Sequence, residues 1–225
     1  MRSSKFTPAR LRGFAADIAR QICAAPPHAL IVIGQAPGRR SDPDRPLDGP
    51  GLTRLLSWGP VPRQLWEACA CPVNLLGAWP GPDQDGSGDA FPVPEARIVA
   101  VAIERHMVNR RVLVLGRAAA RAMSCPEDLP LAAWSWVASS HGGARLAVLP
   151  HPSGRGRRFH SPLERGRAGG FLRAALTEAW VDCGCPGAKV ASQVAVAPTE
   201  VMGGDPDLSV GTATTGPAAG TPGNN

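Results

Sequence analysis

"ALIVIGQAPGRR", residues 29–40, opens with five apolar residues and gives way at Gly34 to a turn-forming, cationic stretch. A short unbroken apolar run, rich in β-branched residues and stopped by glycine, reads as a strand buried on both faces. Three later runs share this form: "PVNLLG" (72–77), "RVLVLG" (111–116) and "RLAVLP" (145–150). Helix-like stretches surround them: "TPARLRGFAADIARQICAA" (7–25), "GPGLTRLLSW" (49–58), "VPEARIVAVAIERHMVN" (93–109), "RAAARAM" (117–123) and "PLERGRAGGFLRAALTEAW" (162–180). Buried strands alternating with helices predict an α/β fold, a three-layer αβα arrangement around a central, mainly parallel four-stranded sheet. The stretch "WPGPDQDGSGDAFPVP" (79–94) reads as a flexible connection.

Composition bounds the rest. The 225 residues are 44% hydrophobic, enough for one domain with its own core. The segment from about Gly187 is rich in Gly, Pro, Ala and Thr and poor in large apolar residues, so it is expected to stay disordered. The expected organisation is therefore an N-terminal helix region (1–27), an α/β domain (28–185) and a disordered tail (186–225). No apolar run is long enough to span a membrane and no secretory signal follows the basic start, so a cytoplasmic, monomeric protein without a membrane partner is expected.

Of the 24 basic residues only Lys5 and Lys189 are lysine, against 18 acids. The tail holds Lys189 and the acids Glu200, Asp205 and Asp207, so residues 1–185 carry 23 basic and 15 acidic side chains. An arginine excess favours a phosphate or polyanion partner, because guanidinium forks match phosphate oxygens. A GC-rich genome also enriches Arg together with Ala, Gly and Pro. Six cysteines form two C-x-C pairs and no C-x-x-C, so free thiols and no metal or other cofactor are expected.

Ligands of parallel α/β sheets bind beyond the carboxyl ends of the strands. Three unusual stretches converge on that edge: "GQAPG" (34–38) after the first strand, Asn74 near the end of the second, and "HPSG" (151–154) after the last. Pro150 and Pro152 fix φ on both sides of His151 and stiffen the histidine's loop. From residue 151 to 173 there are six arginines and one acid, Glu164.

Taken together, "IVIGQAPGRRSDPDRPLDGPGLTRLL" and "HPSG", with Asn74 between them, resemble the uracil-DNA glycosylase superfamily over about residues 28–180. That family pairs a G-x-x-P-G or G-Q-D-P-Y motif after the first strand with an H-P-S or N-P-S motif after the last. The resemblance implies a uracil-DNA-glycosylase-like fold and a monofunctional DNA glycosylase. Such an enzyme flips a uracil or a 5-substituted pyrimidine out of single- or double-stranded DNA and hydrolyses its N-glycosidic bond, leaving an abasic site for base-excision repair. It implies that His151 donates a hydrogen bond to the oxyanion developing on the departing base. It also implies that Asn74 reads the base edge and that Ala36, Pro37 and Leu47 shape the base pocket, Leu47 standing where the family has a stacking aromatic. Gly38, Arg39, Arg40, Ser153, Gly154, Arg157 and Arg158 fall where phosphates would be held, and Arg155 where a wedge fills the space left by the flipped base.

The chain departs from the family where water is activated. Family members carry Asp or Asn at the position of Ala36. An iron–sulfur branch carries alanine there, with a glutamate before it and an acidic pair shortly after. Here Gln35 takes the place of that glutamate, Ser41 that of the first acid, and Asp42 that of the second; Asp42 and Asp48 are the candidates for orienting a water, Asp44 reading as a turn residue. The branch's early C-x-x-C is absent and Ala78 stands at a later cysteine position, so no cluster is expected. Two other functions stay open: a glycosylase-fold protein that recognises modified bases without cutting, in a DNA modification or defence pathway, and a small-molecule protein that binds a nucleotide through "GQAPGRR" and "HPSGRGR".

Overall fold

The computed structural model describes residues 5–83, 89–126, 130–133, 135–136, 143–152 and 161–184. The chain divides into two units, Met1–Ala195 and Val196–Asn225, and the described residues all belong to the first. The expected tail, 186–225, lies outside them.

Five strands form one sheet in the order β2-β1-β3-β5-β4, where β1 is Leu30–Gly34, β2 Ala70–Asn74, β3 Arg111–Leu115, β4 Ser135–Trp136 and β5 Arg145–Leu149. The pairs β1–β2, β1–β3 and β3–β5 are parallel, and β4 runs antiparallel at the edge beside β5. The expected four-stranded parallel sheet is present, and the two-residue β4 makes it five; a strand that short has no readable period.

Helices cover both faces. Helices α1 (Pro8–Ala24), α4 (Val93–Ile103) and α5 (Arg117–Ala122) share one core with Ile31, Ile33, Val112, Val114, Leu146 and Val148. Helices α2 (Pro50–Ser57), α3 (Arg63–Cys69) and α6 (Pro162–Asp182) share the other with Leu30, Val32, Leu113, Leu115, Ala147 and Leu149. The alternation is the period of two of a strand, and both sets are apolar because both faces are buried. A single-turn 3₁₀ helix, Glu104–Met107, follows α4.

Local chemistry explains the helix limits. Thr7 caps α1, its hydroxyl accepting from the Arg10 N–H at 3.3 Å, and Pro8 starts the helix where its missing N–H costs nothing. Leu11, Ala15, Ile18 and Ile22 then form the buried stripe. In α6 small residues allow close approach: a Cβ on Gly169 would stand 2.2 Å from the Gly59 backbone nitrogen, so the α2–α3 turn lies directly on this helix.

Three expectations about secondary structure need correction. The second strand is Ala70–Asn74, two residues earlier than "PVNLLG" implied. Leu75 and Leu76 are fully buried, yet they follow the strand, their N–H groups donating to the Gly34 and Gln35 carbonyls at 3.1 and 3.0 Å. Their apolarity marks burial and not the strand's span. Helix α3 went unread because seven residues with only Trp66 and Cys69 buried carry too little period. The 79–94 connection contains ordered structure: Pro82 and Asp89 form an antiparallel bridge, the Ala90 N–H donates to the Gly81 carbonyl at 2.9 Å, and α4 begins at Val93.

Cys23, Cys69, Cys71 and Cys125 are free thiols, and burial pushes the Cys125 thiol up to about 11, which keeps it protonated. Cys183, in the turn after α6, is disulfide-bonded, so the expectation of free thiols fails there. Spacing alone did not reveal that bond. Among the described residues, no helix is long and apolar enough to cross a membrane.

Candidate active site at the carboxyl edge of the sheet

The order of the strands creates the site. The chain leaves β1 for β2 on one side and then crosses to β3 on the other, so the carboxyl ends of β1 and β3 border a crevice at the point where the strand order reverses. Gln35, Ala36 and Pro37 follow β1, Gly116 follows β3, and Pro150, His151 and Pro152 follow β5.

Gly116 packs against the residues that follow both β1 and β5. Its N–H donates to the Leu149 carbonyl at 2.7 Å, and its φ of +90° is one that a side chain disfavours. A Cβ there would lie 2.9 Å from the His151 Cβ and 3.0 Å from Gln35 Nε2. The absent side chain at 116 is what lets Gln35 and His151 approach each other. From α2, Arg54 Nη1 donates to the Pro152 carbonyl at 2.7 Å and ties down the histidine's loop.

A cavity of about 300 Å³ opens here, lined by Gln35, Ala36, Pro37 and His151 together with Pro80, Asp89, Ala90 and Phe91. Burial lowers the pKa of His151, opposed by the negative charge of Asp89. Desolvation, the larger influence, therefore favours a neutral imidazole, able to donate from one ring nitrogen. Trp79 Nε1 donates to Asp89 Oδ1 at 2.7 Å. Lys5 and Arg39 both approach the Trp79 ring, at 5.3 and 5.8 Å from its centroid, so two cations stand against the ring that bonds Asp89.

Asn74 ends β2 in register with Gly34. It is the one buried polar side chain among the described residues, 7% exposed, and its Oδ1 has no hydrogen-bond partner among them. A Cβ on Gly34 would stand 2.4 Å from that oxygen and 2.8 Å from Leu47 Cδ2, so Gly34 packs against both side chains. Leu47 holds a left-handed φ of +59°, a conformation that costs a non-glycine residue roughly 1–2 kcal/mol. Asn74 and Leu47 sit together, but neither lines the cavity that holds His151.

The aspartates expected to orient water are placed elsewhere. Asp42 Oδ1 accepts from the Asp44 N–H at 2.9 Å in an exposed turn. Asp48 accepts from the Gly49 N–H at 2.8 Å and pairs with Arg45 at 3.2 Å and Arg63 at 3.4 Å. It lines a separate, larger cavity of about 560 Å³ beside Asp44, Arg63 and Trp66. Of the phosphate-holding candidates, Gly38 closes a turn with Ser41, its carbonyl accepting at 3.0 Å, and Arg39 and Arg40 are exposed. Ser153, Gly154, Arg155, Arg157 and Arg158 lie outside the described residues.

Sequence reasoning missed Trp79, Asp89 and Phe91, which lie in the stretch taken for a connection, and the supporting residues Gly116 and Arg54. The available signal was two aromatic residues bracketing an acid in an otherwise Gly- and Pro-rich segment. Among the described residues, no three His, Cys, Asp or Glu side chains cluster so as to hold a metal ion.

No protein-family model matches the chain, and no curated protein matches it.

Proposed function

We propose that the protein is a monofunctional DNA glycosylase of the uracil-DNA glycosylase type, acting on uracil or a 5-substituted pyrimidine. The observation that carries this reading is the meeting of His151 and Gln35 over Gly116, in a cavity of about 300 Å³ walled by Phe91. That volume is at the lower end of small-molecule sites and suits a single flipped base.

The chemistry follows from the charges. Breaking the bond between the base and deoxyribose leaves electrons on the base and a cationic sugar. A neutral His151 donates a hydrogen bond to the base oxygen as its charge grows, from a position held between Pro150 and Pro152. Oxyanion donors of this kind contribute roughly 3–4 kcal/mol. Phe91 offers an apolar wall for the base. Asn74, expected to read the base edge, keeps a buried acceptor without a partner among the described residues but stands outside the cavity that holds His151. Lys5 and Arg39, both against the Trp79 ring, offer positive charge for DNA phosphates.

A second reading draws support from Ala36, a methyl group in the cavity, and from the location of Asp42 and Asp48 away from it. In that reading the protein recognises a modified base and does not cut. Duplexes and single strands carrying uracil, 5-hydroxymethyluracil and larger 5-substituted bases, scored for abasic product and for salt-sensitive binding, separate the two. Abasic product from any of them supports the glycosylase, and tight binding with no product supports the reader.

A further inference from the structure

We infer that Asp89 supplies the carboxylate of this site, holding the attacking water against the sugar carbon in place of the acid missing at Ala36. The inference rests on the glycosylase reading above.

The first motif gives the cavity a methyl group from Ala36 and an amide from Gln35, and neither accepts a proton from water. Asp48 is engaged by two arginines at another cavity, and Asp42 by its own turn. Asp89 is the one carboxylate among the described residues that lines the cavity with His151.

Its setting is built. Trp79 fixes Oδ1 through the 2.7 Å hydrogen bond, and among the described residues Asp89 enters no salt bridge. The backbone is braced where Asp89 bridges to Pro82 and Ala90 bonds to Gly81. Lys5 and Arg39 hold the Trp79 ring by cation–π contact, so the donor that orients the carboxylate is itself positioned.

The two groups then act on opposite charges. As the C1′–N bond breaks, its electron pair goes to the base, where His151 donates a hydrogen bond. The water oxygen bonds to C1′, and one of its protons passes to the Asp89 carboxylate and from there to solvent. The base anion takes a proton from solvent, which completes the hydrolysis without an oxidant, reductant or metal.

Asp89→Asn isolates the charge, because the asparagine Oδ1 still accepts from Trp79 and the loop keeps its brace. The measurement is the single-turnover rate of abasic-site formation on a base that the parent protein cuts, with DNA affinity and melting temperature in parallel. A fall of roughly 100-fold in rate, with affinity and melting temperature unchanged, is expected. An Asp89→Asn protein as fast as an active parent overturns the inference and leaves the glycosylase reading standing. A parent that binds DNA but makes no abasic product on any base overturns the glycosylase reading and the role of Asp89 with it.

Discussion

Gly116 and His151 approach so closely that a methyl group on the first would lie 2.9 Å from the Cβ of the second. The same methyl would meet Gln35 Nε2 at 3.0 Å, so one missing side chain sets the spacing of both motifs.

Gly116→Ala should therefore push His151 and Gln35 apart while straining a φ of +90°. Displacing a catalytic group by about 1 Å costs on the order of 100-fold in rate. We expect that loss in single-turnover cleavage, with a stability loss of about 1–3 kcal/mol in denaturant titration. A variant that cuts at the parent's rate would show that the contact does not position the histidine.

Arg54→Ala should free the Pro152 carbonyl from its 2.7 Å bond and loosen the loop that carries His151. A hydrogen bond to a charged group contributes about 1.5–3 kcal/mol. Cleavage should fall more than stability does, since the bond tethers a loop and not the core; equal activity in the variant would show that this bond does not position the histidine.

Burial holds the His151 pKa below the ordinary imidazole value. The folded protein thus resists protonation that the unfolded chain accepts at about 6.5. As pH falls through that value, the unfolded state binds the proton first, and stability declines until the folded imidazole also titrates. Activity that needs a neutral His151 should persist below pH 6.5, with its acidic limb shifted downward. A pH–rate profile of the parent, with imidazole NMR for the titration, checks both; a limb above 6.5 would contradict the neutral assignment.

The adjacent glycines of α6 give a matched pair of stability variants. A Cβ on Gly169 would meet the Trp58 carbonyl carbon at 2.1 Å, whereas one on Gly170 meets nothing within 4 Å. Gly169→Ala should cost 3 kcal/mol or more, roughly the upper range of overpacking, and Gly170→Ala should gain roughly 0.5–1 kcal/mol through helix propensity. Thermal melting of the two proteins reads the difference directly.

The sheet was legible because β1, β3 and β5 are buried on both faces and have to be continuously apolar, as Leu30–Ile33, Val112–Leu115 and Leu146–Leu149 are. The edge strand β2 was misplaced because its half-buried start, Ala70 and Cys71, is not marked by apolarity, whereas the buried Leu75 and Leu76 beyond it are. Gln35, Ala36, Pro37 and His151 were placed at one edge by topology alone, since residues following parallel strands all emerge on the same side. Asp89 was not legible, because its role comes from a Trp79 hydrogen bond and a bridge to Pro82 that leave no pattern in sequence.

The central claim, that His151 stabilises charge on a departing base, is tested most directly by abasic-site formation over the panel of modified bases, comparing the parent with His151→Ala. The account predicts product from at least one base with the parent and a loss of 100-fold or more, about 3 kcal/mol, in the variant, with DNA binding retained. Equal cleavage by the two proteins would contradict it.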